Sequence, residues 1–180
     1  MKVIGLAGWS GAGKTTLVCK LIPALRQRGI SVSTIKHAHH AFDVDKPGKD
    51  SYEHRAAGAT EVLVSSGKRW ALMHELREEA EPTVDELLAH LSPVDLAIIE
   101  GFKREAHDKI EVWRRSVDKP LLAGEDPQVV AICSDGPVPE AAALPGGTRP
   151  VLDLNDVEAI ADFILAHCGL AAKLTQREEA

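Results

Sequence analysis

Aromatic residues and cysteines are both scarce in this chain of 180 residues. Aromatic side chains make up only 4% of the sequence, so we expect a core of valine, isoleucine, leucine and alanine. Cys19, Cys133 and Cys168 lie far apart and form no C-x-x-C pair, which argues against a disulfide framework and a cysteine-based zinc site. Each cysteine is therefore predicted to be a small buried apolar residue in a reducing compartment.

Long apolar runs and an excess of basic residues are also lacking. No stretch approaches the roughly 18 apolar residues that a membrane-spanning helix needs. The apolar opening VIGLAG is too short for a signal peptide and runs into a glycine-rich stretch, so we expect a cytoplasmic protein with no membrane segment. The net charge of −6 disfavours nucleic acid as a partner, because a general nucleic-acid binder needs a basic surface.

Strand-like and helix-like apolar patterns alternate along the chain. Strands are predicted at 2–7, 31–36, 95–100, 110–114 and 129–133, and helices after the glycine-rich stretch, at 83–91 and at about 155–167. This alternation predicts an α/β fold with a mostly parallel sheet and helices on both faces. Pro23 is expected to kink or shorten the first helix.

Two further strand-like runs, TEVLVS and RWALMHE, flank a short Ser-Gly-Lys turn. They predict an antiparallel hairpin at about 60–75, at an edge of the sheet. No repeat or interdomain linker is evident, so we expect a single nucleotide-binding domain over 1–170 and a flexible tail at 171–180.

The stretch GWSGAGKT at residues 8–15 fits the phosphate-loop pattern G-x-x-x-x-G-K-[ST] without a mismatch. A strand precedes it and a helix follows, as a P-loop NTPase-like fold requires. Glycine lets backbone N–H groups converge on a phosphate, and the helix N-terminus adds free donors. Lys14 is expected to contact the β- and γ-phosphates, and Thr15 to offer its hydroxyl to Mg²⁺. The predicted nucleotide-binding residues of the loop are Gly8, Ser10, Gly11, Ala12, Gly13, Lys14, Thr15 and Thr16.

A magnesium site also needs an acidic residue at the carboxyl end of a neighbouring strand. The run DLAIIEG offers two, Asp95 at its start and Glu100 at its end. Glu100 is favoured, because Asp95 should lie at the far edge of the sheet from the nucleotide. The alternative for Glu100 is a solvated loop carboxylate.

The nucleotide base is harder to predict, because the N/T-K-x-D signature that reads guanine in many GTPases is absent. Asp135 follows a late strand and could accept the ring N–H and the exocyclic amine of guanine, a donor pair that adenine lacks. The alternative is an aspartate that starts a turn before Gly136 and Pro137.

A long polar segment at 37–55 follows the second strand, where loops of an open α/β sheet line the ligand crevice. Asp43 and Asp45 are spaced to approach one metal ion, so Asp45 is a second candidate metal ligand. A solvated polar loop is the alternative, and H-A-H-H fits no regular zinc spacing. Lys103, Arg104 and Lys109 follow Glu100 and are expected to form a basic cluster for an anionic second ligand, with a charged surface turn as the alternative. The predicted residues for a second ligand or partner are His37, His39, His40, Asp43, Lys49, Asp50, Arg55 and Lys103.

The phosphate loop, KHAHH, FDVDKPGKDSYEHRAAGA and IIEGFKREAHDKIEVWR together resemble the molybdopterin-guanine dinucleotide biosynthesis protein B (MobB) family over roughly residues 1–165. The resemblance implies a GTP-binding accessory protein of molybdenum cofactor biosynthesis that uses Mg²⁺, hydrolyses GTP slowly and forms a homodimer. It implies as partners the guanylyltransferase MobA and molybdopterin or Mo-molybdopterin. Carried over by motif, Gly11, Gly13, Lys14, Thr15 and Thr16 would bind the nucleotide.

The same resemblance makes Glu100 the magnesium-side acid and Asp45 a second candidate. One departure concerns Trp9, which stands where related P-loop ATPases carry an additional lysine. A lysine that reaches across a dimer to the partner's nucleotide is therefore not expected.

Two other functions stay open from the residues alone. A small-molecule kinase or ATP-dependent ligase could use His37 or Asp45 as its base. A GTP-driven metallochaperone could use His37, His39 and His40 as metal ligands. The fold does not choose among these, because function lies in the site that the fold carries.

Overall fold

Six strands form one sheet in which every neighbouring pair is parallel, in the order β2-β5-β1-β6-β7-β8. They are β1 (Lys2–Ala7), β2 (Val32–Lys36), β5 (Leu96–Glu100), β6 (Lys109–Trp113), β7 (Val129–Ser134) and β8 (Val151–Asp153). The remaining elements are α1 (Lys14–Gln27), α2 (Asp50–Ala56), β3 (Glu61–Ser65), β4 (Trp70–His74), α3 (Val84–Ala89) and α4 (Val157–His167). The mostly parallel α/β fold predicted from the sequence is confirmed.

The computed structural model describes residues 1–38, 42–103, 105–138, 144 and 147–171. The chain divides into two compact units: Met1–His37 with Val84–Ala180, which carries the six-stranded sheet, and Ala38–Thr83. The single domain expected over 1–170 stays a prediction. Nearly all of the predicted tail, 172–180, lies outside the described residues. Among these residues, no helix is both long and apolar enough to cross a bilayer.

Two helices, α1 and α4, cover one face of the sheet. Leu17, Leu21 and Leu25 recur every four residues along α1 and are almost completely buried, with Ile160 and Ile164 of α4 in the same cluster. Burial of each such side chain contributes roughly 1.5–3 kcal/mol. Helix α1 continues four residues beyond Pro23, so the expected shortening does not occur.

The opposite face near β6 and β7 is covered by irregular chain. Trp113 and Ile132 pack there against Ala123 in a 3-10 turn at Leu122–Gly124, and against Val138. Successive strand residues point to opposite faces, which explains why Ile110 and Val112 belong to the helix-covered cluster instead.

The structure differs from the predicted elements in three places. The hairpin is present as antiparallel β3 and β4, but it forms a two-stranded sheet of its own in the second unit. Helix α2 lies inside the polar segment that was predicted as a loop. The sequence did not reveal this helix, because none of its residues is buried and it therefore has no apolar stripe. Strand β8 is only three residues long, too short for a pattern of alternation to mark it.

The cysteines follow the prediction at two of three positions. Cys133 and Cys168 are buried, and burial raises the pKa of the Cys133 thiol to about 12. The prediction is wrong for Cys19, which lies on the exposed side of α1.

Candidate functional site

The glycine-rich loop leaves the carboxyl end of β1 and enters α1 at Lys14. Gly8 has a φ of 141°, and a Cβ atom there would lie 2.3 Å from the carbonyl oxygen of Val112 in β6. Only glycine therefore fits where the loop crosses the neighbouring strand. Ser10, Gly11, Thr15 and Thr16 are exposed, whereas Gly8 and Ala12 are buried. The loop thus rests on the sheet and presents one side to solvent.

The ammonium group of Lys14 lies inside the curve of this loop. Its Nζ donates hydrogen bonds to the carbonyl oxygens of Gly8 and Trp9, each at 3.0 Å. Burial lowers the pKa of Lys14, and the positive charges of Lys103 and Lys36 lower it further while Glu100 opposes them. Three ammonium groups and one carboxylate therefore act on one another at this edge of the sheet.

Thr15 and Glu100 meet directly beside Lys14. The Thr15 hydroxyl donates to Glu100 Oε1 at 2.7 Å, and the Glu100 side chain is 12% exposed. Asp95, the alternative acid, lies at the amino end of β5, where its Oδ2 accepts from the backbone N–H of Ser31 at 2.9 Å. A hydroxyl and a carboxylate are the oxygen ligands that Mg²⁺ prefers, so the donor set at Thr15 and Glu100 fits this ion. Glu100 as a metal ligand stays a prediction.

The chain turns sharply after Glu100 and brings Lys103 back over the glycine-rich loop. Gly101 has a φ of 100°, and a Cβ there would come within 2.8 Å of the His37 Cβ. The Lys103 Nζ then lies 4.4 Å from the centroid of the Trp9 ring, within cation–π range. Trp9 therefore holds a lysine next to the loop, a contact that sequence reasoning did not predict.

Arg114 is a second residue that the sequence analysis missed. It follows β6, and its Nε donates to the carbonyl oxygen of Ala12 at 3.0 Å while its Nη1 pairs with the Asp135 carboxylate. The guanidinium thus links the glycine-rich loop to the residue predicted to read the base. A sequence signal did exist, since Arg114 directly follows a buried strand at the carboxyl edge of the sheet.

A buried carboxylate supports this side of the site. Glu111 is fully buried in β6, and its two carboxylate oxygens accept from the backbone N–H groups of Leu122 and Ala123 at 2.8 and 2.9 Å. The segment it holds in place also contains Pro120, whose carbonyl oxygen accepts from the Trp9 indole at 2.8 Å. Glu111 therefore fixes the chain that positions Trp9.

The titration of Glu111 predicts a pH-dependent stability. Burial raises its pKa and the two backbone hydrogen bonds oppose that effect, so the folded state holds this proton more tightly than the unfolded state. Stability contributed by the protonated form is lost as the pH rises through the raised pKa, by about 1.4 kcal/mol for each pKa unit of the shift. We therefore expect Glu111→Gln, which does not titrate, to gain stability relative to the wild type as the pH rises from about 4 to 8.

Urea denaturation of both proteins at several pH values measures this difference. Titrations common to both proteins cancel in the comparison. A Glu111→Gln difference that stays constant over the whole range would contradict the prediction.

The histidines predicted for a second ligand are only partly described. The His37 ring packs against the Phe102 ring in a tilted arrangement, with centroids 4.6 Å apart, and the His37 backbone N–H donates to the carbonyl oxygen of Glu100 at 2.9 Å. His37 therefore lies beside the Thr15–Glu100 pair. His39, His40 and Arg104 lie outside the described residues. Within the described part of the chain, no group of three or more His, Cys, Asp or Glu side chains is arranged to hold a metal ion.

In the second unit, the acidic residues predicted near a metal surround an arginine. Arg55 donates to Asp43 and Asp45 at 2.8 Å each and to Glu75 at 2.9 Å. The hydrogen bond to Glu75 raises the pKa of Arg55 the most, and the bonds to Asp43 and Asp45 raise it further. The guanidinium therefore keeps its positive charge. Lys49 and Asp50 are exposed where α2 begins. Asp45 as a metal ligand remains an untested prediction.

The prediction that Lys109 belongs to a ligand-facing basic cluster is wrong. The side chain is 1% exposed, and its Nζ lies 2.8 Å from Asp126 Oδ2. It also donates to the carbonyl oxygens of Lys103 and Glu105. Lys109 begins β6 and so lies away from the edge where the strands end. It supports the loop that carries Lys103 instead of binding a ligand.

Similarity to known proteins extends across the part of the chain that carries this site. The family model for molybdopterin guanine dinucleotide synthesis protein B, MobB, matches residues 3–135. The chain belongs to the MobB family. The MobB match includes the glycine-rich loop, Glu100, Arg114 and Asp135, that is, every residue of the first unit described above as part of the site.

Two bacterial relatives extend this MobB match over most of the chain. A molybdopterin-guanine dinucleotide biosynthesis adapter protein of Escherichia coli is 47% identical over 166 residues, which cover 91% of each chain. A protein of the same name from Haemophilus influenzae is 41% identical over 165 residues, covering 90% of this chain and 86% of the relative.

Solved structures of MobB proteins share the fold. A crystal structure of molybdopterin-guanine biosynthesis protein B is 27% identical and aligns with a TM-score of 0.67, covering 92% of this chain and 99% of the other. The crystal structure of Bacillus subtilis MobB, 21% identical, aligns with a TM-score of 0.68 over 93% of this chain and 98% of the other. The P-loop NTPase-like class predicted from the loop pattern is thereby confirmed.

Proposed function

We propose that this chain is a GTP-binding adapter in the biosynthesis of molybdopterin guanine dinucleotide. The observation that carries the proposal is the cluster of Lys14, Thr15 and Glu100 at the carboxyl edge of the sheet, where a hydroxyl and a carboxylate 2.7 Å apart adjoin a loop-bound ammonium group. Magnesium would be held by Thr15 and Glu100, and Lys14 would neutralise the phosphates. The names of the relatives support the adapter role.

Guanine would be read by Asp135. A carboxylate can accept both the ring N–H and the exocyclic amine of guanine, and adenine has no matching donor pair. The Asp135 carboxylate is tied through Arg114 to the loop that would bind the phosphates, so base and phosphates would be read by one connected set of groups. Hydrolysis of GTP is proposed to be slow, and the protein is proposed to act as a cytoplasmic homodimer.

The adapter partner is proposed to be the guanylyltransferase MobA, which attaches GMP to molybdopterin. The product contains a guanine nucleotide. An adapter that binds GTP would therefore recognise the same base as the enzyme that it assists. Molybdopterin or Mo-molybdopterin would then be presented at the edge formed by His37 and Lys103, which adjoins the nucleotide loop.

Calorimetric titration of the purified protein with GTP and ATP, each with Mg²⁺, tests the nucleotide proposal. We expect GTP to bind more tightly than ATP, and Asp135→Asn to reduce that preference. An equal affinity for both nucleotides would remove the guanine assignment, and no heat with either nucleotide would remove the whole proposal. Fast phosphoryl transfer from ATP to a small acceptor would support a small-molecule kinase instead.

A pull-down with purified guanylyltransferase, with and without GTP, tests the adapter proposal separately. We expect the two proteins to co-purify, more strongly when GTP is bound. A protein that binds GTP but never retains the guanylyltransferase would remove this partner and leave nucleotide binding intact.

A further inference from the structure

Lys36 lies against the two oxygen atoms that the proposed function gives to magnesium. It is the last residue of β2 and pairs in register with Glu100 of β5. Its Nζ lies 3.5 Å from Glu100 Oε1 and donates to the Thr15 hydroxyl oxygen at 3.4 Å. Those two oxygens are the pair that lie 2.7 Å apart. One ammonium group therefore touches both predicted ligands of the metal.

We propose that Lys36 is a built-in counter-cation of the magnesium site. Before a nucleotide or metal binds, its ammonium balances the Glu100 carboxylate. When a nucleotide binds without metal, the ammonium stays between Glu100 and the phosphates, and Mg²⁺ must displace it to reach the same oxygens. This inference rests on the proposed function, because it assumes that the site binds a magnesium nucleotide.

Burial explains why a counter-cation is needed. The Glu100 side chain is 12% exposed, and a carboxylate that is largely removed from water is costly unless a positive charge or hydrogen bonds compensate it. The Thr15 hydroxyl donates a hydrogen bond to this carboxylate but carries no charge, whereas the Lys36 ammonium, 3.5 Å away, supplies the positive charge that balances it. The nearby Lys14 is already bonded to the loop carbonyls.

The residue type suits a cation that has to leave. The Lys36 side chain is 59% exposed, and its ammonium is a compact, strongly hydrated charge on a flexible stem. It can swing into solvent or onto a phosphate oxygen without moving β2.

The test compares the metal dependence of nucleotide binding in the wild type, Lys36→Met and Lys20→Met. The control Lys20 is an exposed lysine of α1, and its substitution changes the net charge by the same amount. The affinity for GTP is measured by calorimetry in EDTA and in saturating Mg²⁺. Mg²⁺ is also titrated at a fixed GTP concentration, to find the Mg²⁺ concentration that gives half of the full change in GTP binding.

In EDTA we expect Lys36→Met to bind GTP about tenfold more weakly than the wild type, because one charge-assisted bond is lost. In Mg²⁺ its affinity should match the wild type or exceed it, and half of the metal effect should be reached at about a tenfold lower Mg²⁺ concentration. Lys20→Met should behave as the wild type. The ratio of the GTP affinities with and without Mg²⁺ is taken within each protein, so a small loss of stability in the variant does not alter that ratio.

Three outcomes would overturn the inference. An unchanged metal dependence in Lys36→Met would show that the ammonium does not compete with Mg²⁺. An equal loss of affinity with and without metal would make Lys36 an ordinary phosphate ligand. No GTP binding by the wild type under any condition would remove the proposed function together with this inference, which distinguishes that failure from the first two.

Discussion

Lys14→Ala should weaken the binding of magnesium GTP by about 100-fold or more, because a phosphate ligand of this kind makes at least two charge-assisted hydrogen bonds. The Lys14 Nζ already lies within the curve of the glycine-rich loop, 3.0 Å from the carbonyl oxygens of Gly8 and Trp9. Its replacement leaves these carbonyl oxygens facing the phosphates with no positive charge between them. Calorimetric titration with GTP in saturating Mg²⁺ measures the loss.

A matched control for Lys14→Ala is Lys20→Ala, which removes an exposed lysine from the same helix. It should retain the affinity of the wild type. A thermal melt of each variant separates lost binding from lost folding. Binding by Lys14→Ala within a factor of three of the wild type would contradict the assignment of the loop as the phosphate site.

Gly8→Ala provides an independent variant at the same loop. Its added Cβ would meet the Val112 carbonyl oxygen at 2.3 Å, so the loop has to move away from β6. The charge of Lys14 is unchanged in this variant, and weaker GTP binding would therefore be due to the backbone alone. Equal losses of GTP affinity in Gly8→Ala and Lys14→Ala would mean that the Lys14 ammonium and the loop backbone bind the phosphates as one unit.

Local patterns in the sequence were sufficient to predict that Lys14, Thr15 and Glu100 lie together, although their role in binding stays a prediction. The glycine-rich motif is contiguous, so its residues define both the loop and the start of α1. Glu100 was predictable because an apolar run ends in one carboxylate, and parallel strands end at one edge of the sheet. The structure brings that carboxylate to 2.7 Å from the Thr15 hydroxyl.

Contacts that depend on strand order could not be read from the sequence. Arg114 reaches Ala12 only because β6 lies next to β1, although 102 positions separate the two residues along the chain. Lys103 reaches Trp9 only because Gly101 and Phe102 both adopt positive φ angles, and a positive φ at a phenylalanine has no sequence signature. Such contacts follow from tertiary geometry instead of local preference.

Lys109 shows the opposite error, in which a local pattern was misleading. Its position shortly after Lys103 suggested a shared basic surface, but β6 begins at Lys109 and draws its side chain into the interior. Charged residues are almost never fully buried unless they are paired, and the partner, Asp126, is 17 positions further along the chain. Nothing local in the sequence links these two residues.

The ion pair between the buried Lys109 and Asp126, whose side chain is 22% exposed, gives the second large prediction. Asp126→Ala should lower the free energy of unfolding by about 3 kcal/mol, because the ammonium group of Lys109 stays buried without its carboxylate. The Nζ keeps the carbonyl oxygens of Lys103 and Glu105 as hydrogen-bond acceptors, but these carry no charge to balance it. Urea denaturation with a common m-value measures the change.

The double variant Lys109→Met with Asp126→Ala separates charge from packing. It should be more stable than Asp126→Ala alone, because no uncompensated charge remains and methionine fills much of the same volume. Both variants lose the hydrogen bond that Asp126 Oδ1 accepts from the backbone N–H of Gln128, so this loss cancels between them. If the double variant is the less stable of the two, the ammonium group is stabilised by the carbonyl oxygens alone, and the ion pair is not what holds the loop of Lys103 in place.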